Sequence, residues 1–240
     1  MKKVGIIQSN YIPWRGYFNF IADVDLFIIY DDVQYTKNDW RNRNKIKIQK
    51  GTKWLSVPVK YHSSSLSGNK IQDVKIDYSL KWFDMHMRSF YENYKSSPYY
   101  DHANTIFSII SNNKFESISS LNVHLIKDIM NYLEINSEVI YSSELEPEGT
   151  KTERLIDILT KVDADVYLSG PSADAYLDKE LFKENNIGLE YKTYDYEPYS
   201  QLHGDFIGNV TVLDLIANCG PDSRKYLKSK SPNQKIVMQD

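Results

Sequence analysis

Two short apolar runs near the N-terminus each end abruptly in polar residues. The first spans residues 3–8, and the second spans residues 26–30 and stops at the paired aspartates Asp31 and Asp32. Short β-branched runs bounded by polar turns predict buried parallel strands. Residues 17–22, between the two runs, have the length and apolar spacing of a short helix. The predicted strand–loop–helix–strand unit places polar side chains at the carboxyl ends of both strands, where open α/β sheets bind ligands.

Alternating and helical patterns follow this unit. Alternation on both sides of Lys50-Gly51 predicts a β-hairpin, and residues 71–76 predict a further strand. Residues 61–70 between them are rich in small residues and are predicted to be a loop, either a flap over a site or a plain surface loop. Helical periodicity then predicts an insertion at about residues 79–135.

The second half of the chain repeats the α/β pattern. A helix over residues 153–162, capped by Thr152, is followed by strands at residues 165–168 and 187–194. A late helix is stopped by an Asn-Cys-Gly-Pro segment, and the basic segment after Arg224 is predicted to be a partly ordered terminus. The whole pattern predicts an α/β fold over residues 1–240, a single domain with a Rossmann-like, mostly parallel sheet, the central helical insertion and the β-hairpin.

Composition narrows the class of protein. The 240 residues are 41% hydrophobic and 25% charged with a net charge of −3, which is ordinary for a globular protein and gives no support to nucleic-acid binding driven by overall charge. No apolar run is long enough to predict a membrane span. The single cysteine, Cys219, excludes an intrachain disulfide and a cysteine-rich zinc site, so a cytoplasmic location is expected.

The stretch from residue 31 to residue 45 holds the densest chemistry. It contains three acids, four bases and two aromatics without Gly or Pro, which favours a binding or catalytic loop over a solvated one. Arginine binds phosphate and carboxylate groups through two parallel hydrogen bonds. Asp31 and Asp32 can orient a hydroxyl or amine, hold a magnesium ion, or pair with Arg41 or Arg43.

Histidine is the usual general base near neutral pH. None of the five histidines has the spacing of a zinc site, so neither a structural nor a catalytic zinc is predicted. His203, in a polar loop, is the first candidate base and His86, within a helix, is the second; a structural role is the alternative for each. Asp31 is a third catalytic candidate.

Substrate-binding candidates cluster behind the predicted strands. A strand that feeds the Ser169-Gly170 loop at a helix start can offer N–H groups to an anion, although a simple tight turn has the same sequence. The predicted substrate-binding residues are Gln8, Asn10, Tyr11, Trp14, Asp32, Gln34, Trp40, Arg41, Arg43, Lys45, Ser169, Gly170 and Ser172.

Several of these motifs resemble the WbqC-like family of bacterial proteins. The matching segments are residues 7–18 (IQSNYIPWRGYF), residues 31–35 (DDVQY) and residues 40–44 (WRNRN), with further similarity at residues 167–170, 199–206 and 213–215. Ser9 stands where the family pattern usually has proline, and Ala217 where it often has phenylalanine. These differences change loop stiffness and packing but remove no functional group.

The resemblance implies a role in the synthesis of O-antigen, the polysaccharide of lipopolysaccharide, or of another surface polysaccharide. It suggests a transferase that adds an acyl or aminoacyl group to the amine of a nucleotide-linked amino sugar, with acyl-CoA or an acyl carrier protein thioester as donor. A nucleotidylyltransferase-like enzyme is an alternative, although the opening loop lacks that group's His-x-x-His. A non-catalytic nucleotide-sugar-binding protein is another. No nucleic acid or membrane partner is expected, and a homodimer is left open.

Overall fold

The computed structural model describes residues 1–60 and 69–238. Its strands are β1 (Lys3–Ile7), β2 (Leu26–Ile29), β3 (Arg43–Ile48), β4 (Gly51–Ser56), β5 (Val59–Lys60), β6 (Lys75–Ile76), β7 (Glu138–Tyr141), β8 (Val166–Ser169), β9 (Gly188–Tyr191) and β10 (Gln234–Val237). Its α-helices are α1 (Arg15–Ala22), α2 (Trp82–Tyr94), α3 (Tyr100–Phe107), α4 (Ile109–Asn112), α5 (Ile118–Tyr132), α6 (Lys151–Lys161), α7 (Lys179–Glu184) and α8 (Val212–Cys219). Short 3-10 segments lie at Ile71–Asp73, Ser142–Leu145, Pro171–Ala175 and Gly220–Tyr226.

The central sheet has the strand order β10-β9-β8-β1-β2-β7. Strands β1, β2, β7, β8 and β9 of this sheet are parallel, and only β10 runs antiparallel to its neighbour β9. The chain builds the sheet outward from β1 through β2 to β7, and then continues on the other side of β1 with β8 and β9. The order therefore reverses between β1 and β8, which confirms the predicted Rossmann-like α/β fold.

Both faces of the sheet are covered. Phe27 and Ile29 of β2 belong to the large core under α1, α5 and α8, whereas Leu26 and Ile28 belong to a second core under α6 and α7. Alternate residues of one strand thus pack on opposite sides. This explains why the parallel strands have continuous apolar sequences.

The hairpin is formed by β3 and β4 in antiparallel pairing, with Lys45 opposite Trp54. Gly51 begins β4 with φ +93°, a left-handed conformation that favours glycine, so the predicted Lys50-Gly51 turn is confirmed. Helices α2 to α5 lie between β6 and β7, in the stretch where helical periodicity was predicted.

Other predictions differ from the structure. Residues 71–76 form a 3-10 turn and the two-residue β6 rather than one strand, and residues 61–68 of the predicted flap or loop lie outside the described residues. The segment after Arg224 is not simply a loose terminus, because β10 pairs with β9 at the sheet edge. Thr150 stands at the start of α6, while the Oγ1 of Thr152 accepts a hydrogen bond from the backbone N–H of Asp178.

Candidate functional site

Two pockets lie on either side of the loop that follows β1. The larger, here the switch-point cleft, has a volume of about 670 Å³ and is lined by Ile6, Ile7, Gln8, Tyr30, Lys151, Leu155, Tyr167, Ser169, Gly170, Ser172, Ala173 and Tyr176. The smaller, here the indole pocket, has a volume of about 210 Å³ and is lined by Asn10, Pro13, Trp14, Trp40, Asn44 and Asn209. Gln8 and Asn10 are only two residues apart, so one short loop contributes to both pockets.

The switch-point cleft lies at the carboxyl ends of the paired strands β1 and β8. Ligands of open α/β sheets bind beyond the carboxyl ends of the strands at this reversal, and the cleft is as large as a typical small-molecule site. Gln8 follows β1, and Ser169 and Gly170 come from the end of β8. Tyrosine rings, hydroxyls and the ammonium group of Lys151 therefore converge on one space.

A buried ion pair supports the wall of this cleft. Asp32 pairs with Arg154 at 2.5 Å and accepts a hydrogen bond from the hydroxyl of Ser142. The guanidinium carbon of Arg154 lies 6.0 Å from the centre of the Tyr30 ring. Asp32 itself does not line the cleft. It holds Arg154 beside Tyr30, and Tyr30 lines the cleft.

Arg41 joins the two pockets. Its side chain is only 10% exposed, and its Nη1 donates to the side-chain oxygen of Asn10 and to the carbonyls of Ser9 and Gln8. Asp39 lies 3.5 Å from Nη2 and provides a nearby counter-charge. The planar guanidinium thus fixes the loop segment that faces the cleft on one side and the indole pocket on the other.

Asp31 lies beneath this loop and does not line either pocket. Its carboxylate accepts hydrogen bonds from the backbone N–H of Ser9 at 2.8 Å and from the hydroxyl of Ser119. Burial raises the pKa of Asp31, and the hydrogen bonds from Ser119 and Ser9 oppose that rise. Asn122 adds hydrogen bonds to the Ser9 hydroxyl at 3.1 Å and to the Arg41 carbonyl at 2.8 Å. Two polar residues of α5 therefore hold the end of β1 in place.

The indole pocket is shaped by the polar and small residues of the opening loop. Asn44 is buried, and its amide donates to the carbonyls of Tyr11 and Ile12 at 3.0 and 2.9 Å. A Cβ atom on Gly16 would lie 2.3 Å from the ring of Trp14, so glycine is required for the indole to lie across the start of α1. In the sequence Trp14-Arg15-Gly16, the glycine therefore makes room for the tryptophan ring that lines the pocket.

The other wall of the indole pocket continues onto the hairpin. The rings of Trp40 and Trp54 have centroids 5.4 Å apart. The guanidinium carbon of Arg43 lies 4.4 Å from the Trp54 ring centre, and the Nζ of Lys45 lies 4.8 Å from it. These two cations therefore lie beside the pocket, and Arg43 and Lys45 are absent from its immediate lining.

Neither candidate histidine lines a pocket. His86 is buried, and its Nδ1 lies 2.9 Å from the Tyr11 hydroxyl. Burial lowers the pKa of His86 to about 4, and the hydrogen bond that its ring makes to the Ser56 backbone opposes this shift. The Nε2 of His203 lies 3.0 Å from the carbonyl of Asn93. His86 lies within α2, and His203 contacts that helix from outside. Tyr11 is buried beside His86. Gln34 is exposed and lines neither pocket.

Seven predicted residues line the two pockets. Gln8, Ser169, Gly170 and Ser172 line the cleft, and Asn10, Trp14 and Trp40 line the indole pocket. Sequence analysis missed Tyr30, Lys151 and Tyr176 of the cleft. Tyr30 could have been found as the polar-tipped end of an apolar run, but Lys151 and Tyr176 lie in segments without a recognisable motif.

Some wider features of the molecule bear on its chemistry. Within residues 1–60 and 69–238, no helix is both long and apolar enough to cross a membrane. Over the same residues, no group of three or more His, Cys, Asp or Glu side chains is arranged to hold a metal ion.

The half-buried thiol of Cys219 has a pKa raised to about 11 by burial, so it is a poor nucleophile near neutral pH.

Comparison with known proteins gives a family. The chain is 42% identical over 234 residues to the protein named "Uncharacterized protein Rv1507c" of Mycobacterium tuberculosis (strain ATCC 25618 / H37Rv), and the alignment covers 95% of this chain and 98% of that protein. No solved structure matches the chain. Residues 8–226, which include the β1 loop, Arg41 and the lining of both pockets apart from Ile6 and Ile7, match the WbqC-like protein family. The chain therefore belongs to the WbqC-like protein family.

Proposed function

We propose that the protein transfers an acyl or aminoacyl group to the amine of a nucleotide-linked amino sugar, with the nucleotide bound in the switch-point cleft. The observation that carries this proposal is the cleft itself, which combines tyrosine rings with a lysine at the reversal point of a Rossmann-like sheet. Nucleotides bind at this position in related sheet topologies. The sequence motifs resemble those of a protein family whose members are encoded in polysaccharide gene clusters. This resemblance supports a sugar as the group that the nucleotide carries.

The lining of the cleft suits the parts of a nucleotide sugar. Tyr30 and Tyr176 offer aromatic surface to the base, and Tyr176 is exposed enough to be reached from solvent. Lys151 offers a positive charge to the pyrophosphate, and Ser169 and Ser172 offer hydroxyl groups. The sugar would then extend towards the loop held by Arg41, where Gln8 leads into the indole pocket.

The proposed reaction converts an amine and a thioester into an amide and a thiol. The neutral amine nitrogen attacks the carbonyl carbon of an activated thioester, the new C–N bond forms, and the C–S bond breaks. The nitrogen loses one proton as it becomes an amide, and the departing thiolate takes up one proton. Within this scheme the protein contributes mainly proximity, because it holds acceptor and donor in neighbouring pockets.

Binding measurements test the acceptor site. Calorimetry should compare UDP-, GDP- and dTDP-linked amino sugars with the wild-type chain and with the Lys151→Met and Tyr176→Leu variants. The affinity for the sugar nucleotide that binds best should fall at least about tenfold in each variant, equal to roughly 1.4 kcal/mol. Lys127→Met is the matched control, because it removes the same charge from an exposed position on α5. Equal affinity in all variants, or no binding to the wild type, would refute the proposed cleft.

A non-catalytic nucleotide-sugar-binding protein is the second candidate. It is favoured by one observation: no histidine or carboxylate of the described chain lines either pocket. Mass spectrometry of mixtures with the bound sugar nucleotide and several thioester donors separates the two functions. An acylated sugar nucleotide that forms only with active protein supports the transferase, whereas tight binding without product supports the binding protein.

A further inference from the structure

The exposed side of the hairpin carries an unusual concentration of positive charge and aromatic surface. Residues 43–56 contain five basic residues and no acid, in a chain whose net charge is −3. Arg43 and Lys45 are two positions apart on β3 and therefore point to the same side of the strand. Trp54 lies directly opposite Lys45 on β4, and Trp40 packs against it.

The cations of this surface differ in how they are used. Lys47 is buried and donates to the carbonyl of Asp205 at 2.7 Å, and Lys53 donates to the hydroxyl of Ser89 at 2.8 Å. Arg43 donates from its Nη2 to the carbonyl of Asn38, but among the described residues neither Arg43 nor Lys45 has a carboxylate within 4.0 Å. These two cations lie over an indole ring, and their charge is not neutralised by an ion pair.

The aromatic surface leads into the indole pocket. Trp40 and Trp54 are each 41% exposed, so the packed pair presents a contiguous aromatic surface to solvent. Trp40 also lines the indole pocket, together with Asn10. Asn10 is in turn bonded to Arg41, which reaches the carbonyl of Gln8 in the switch-point cleft. A continuous path thus runs from the tryptophan pair and its two neighbouring cations, through the indole pocket, to the switch-point cleft proposed for the acceptor.

We propose that this path is the donor site and that it takes an acyl thioester of coenzyme A. The adenine ring stacks on the exposed indole surface of Trp40 and Trp54, and the phosphates lie against Arg43 and Lys45. The thioester end enters the indole pocket, where the amide of Asn10 faces the acyl group. The role of the bound molecule as a donor rests on the proposed acyl transfer, but the binding site itself does not.

The chemistry of the surface favours coenzyme A over other donors. A nucleotide with several phosphates matches both a flat aromatic surface and two unpaired cations, whereas the phosphopantetheine arm of a carrier protein brings no base to stack. A site of this kind should lose affinity as salt is added, because the phosphates pair with cations that solvent still reaches.

The test uses coenzyme A and adenosine 3′,5′-bisphosphate as probes, in the absence of any sugar nucleotide. Calorimetry and quenching of tryptophan fluorescence should detect binding of both probes to the wild-type chain, and pantetheine should bind at least about tenfold more weakly. Lys45→Ala and Trp54→Leu should each weaken binding at least about fivefold. Lys50→Ala, which removes the same charge from the hairpin turn, should change affinity less than about twofold. Thermal unfolding of each variant shows whether the hairpin is still folded.

Several results would overturn the proposal. Equal losses in Lys50→Ala and Lys45→Ala would mean that the probes respond only to general charge. Binding of a phosphopantetheinylated carrier protein or of a single-stranded RNA, without binding of the bisphosphate, would assign the surface to that partner instead. Lys151→Met distinguishes this proposal from the proposed function, because it should weaken sugar nucleotide binding and leave coenzyme A binding unchanged.

Discussion

At the scale of single residues, the site depends on side chains whose hydrogen bonds are made inside the protein. The guanidinium of Arg41 donates hydrogen bonds to the loop after β1. The two carboxylate oxygens of Asp31 accept hydrogen bonds from Ser9 and Ser119. Sequence analysis treated Arg41 and Asp31 as groups for a ligand, because their chemistry is the same whether they bind a substrate or a loop. What the sequence alone cannot supply is the direction in which each side chain points.

His203 is the residue for which this distinction matters most. Its role as a general base is a prediction from its polar loop, and the structure places its Nε2 against the carbonyl of Asn93 on α2. Because His203 lines neither pocket, we expect the His203→Asn variant to keep turnover within about threefold of the wild type, far from the ~10²-fold loss of a missing base. Kinetics with the acceptor and donor that the proposed binding and mass-spectrometric experiments identify would measure this effect.

The opposite result is equally informative. A loss of at least about a hundredfold in kcat, with unchanged acceptor affinity and unchanged unfolding, would establish His203 as the base. It would also require the loop that carries His203 to move, since the residue lies outside the lining of both pockets.

At the scale of elements, α5 connects the helical insertion to the sheet. Most of its buried residues are apolar, but Ser119 and Asn122 lie one turn apart and are also buried. They bond to Asp31, to Ser9 and to the carbonyl of Arg41. The insertion therefore contributes no residue to either pocket, yet it fixes the loop that separates them.

Removal of the Asn122 amide should measure this contribution. Asn122→Ala leaves the Ser9 hydroxyl and the Arg41 carbonyl without a buried donor, which should lower the free energy of unfolding by about 1–3 kcal/mol. Urea denaturation provides the measurement, and Asn131→Ala on the exposed side of α5 is the control, expected within about 0.5 kcal/mol of the wild type. Equal stability of the two variants would show that water or a local shift replaces the amide.

The elements themselves were predictable to different degrees. The apolar runs that became β1, β2 and β8 are strong signals, because a strand buried on both faces must be apolar throughout. The hairpin was marked by alternation around Lys50-Gly51. Strand β10 was missed because it is short, carries Gln234 and Lys235, and is specified by pairing with β9 rather than by its own sequence. Polar residues of α5 were missed because a helical pattern identifies a face by its apolar members.

At the scale of the whole molecule, the switch-point cleft lies between two cores that the sheet separates. The larger core includes α1, α5, α8 and the hairpin, and the smaller one includes α6 and α7. The switch-point cleft is lined by residues of both, for example Ile7 from the first and Leu155 from the second. The geometry of the site thus depends on the stability of the entire fold, which makes acid stability relevant to function.

His86 links acid stability to the larger core. It lies between Tyr11 and Trp82 and contacts the Ser56 backbone, and burial lowers its pKa from 6.5 to about 4. In the unfolded chain the pKa returns to about 6.5. Above that pH neither state carries the proton. As the pH falls from about 6.5 to about 4, only the unfolded state binds it, so the stability of the fold decreases.

Replacement of His86 should remove this part of the pH dependence. Between pH 7.5 and pH 5.0 the wild type should lose about 2 kcal/mol more unfolding free energy than the His86→Gln variant, since roughly 1.5 pH units separate pH 5.0 from the unfolded pKa and each unit is worth about 1.4 kcal/mol. Urea denaturation at several pH values measures the difference. Asn131→Ala, on the exposed side of α5, replaces no titratable group and should retain the wild-type pH dependence. Parallel stability profiles for His86→Gln and the wild type would mean that the folded protein accommodates a charged His86, and that the contact with Tyr11 rearranges in acid.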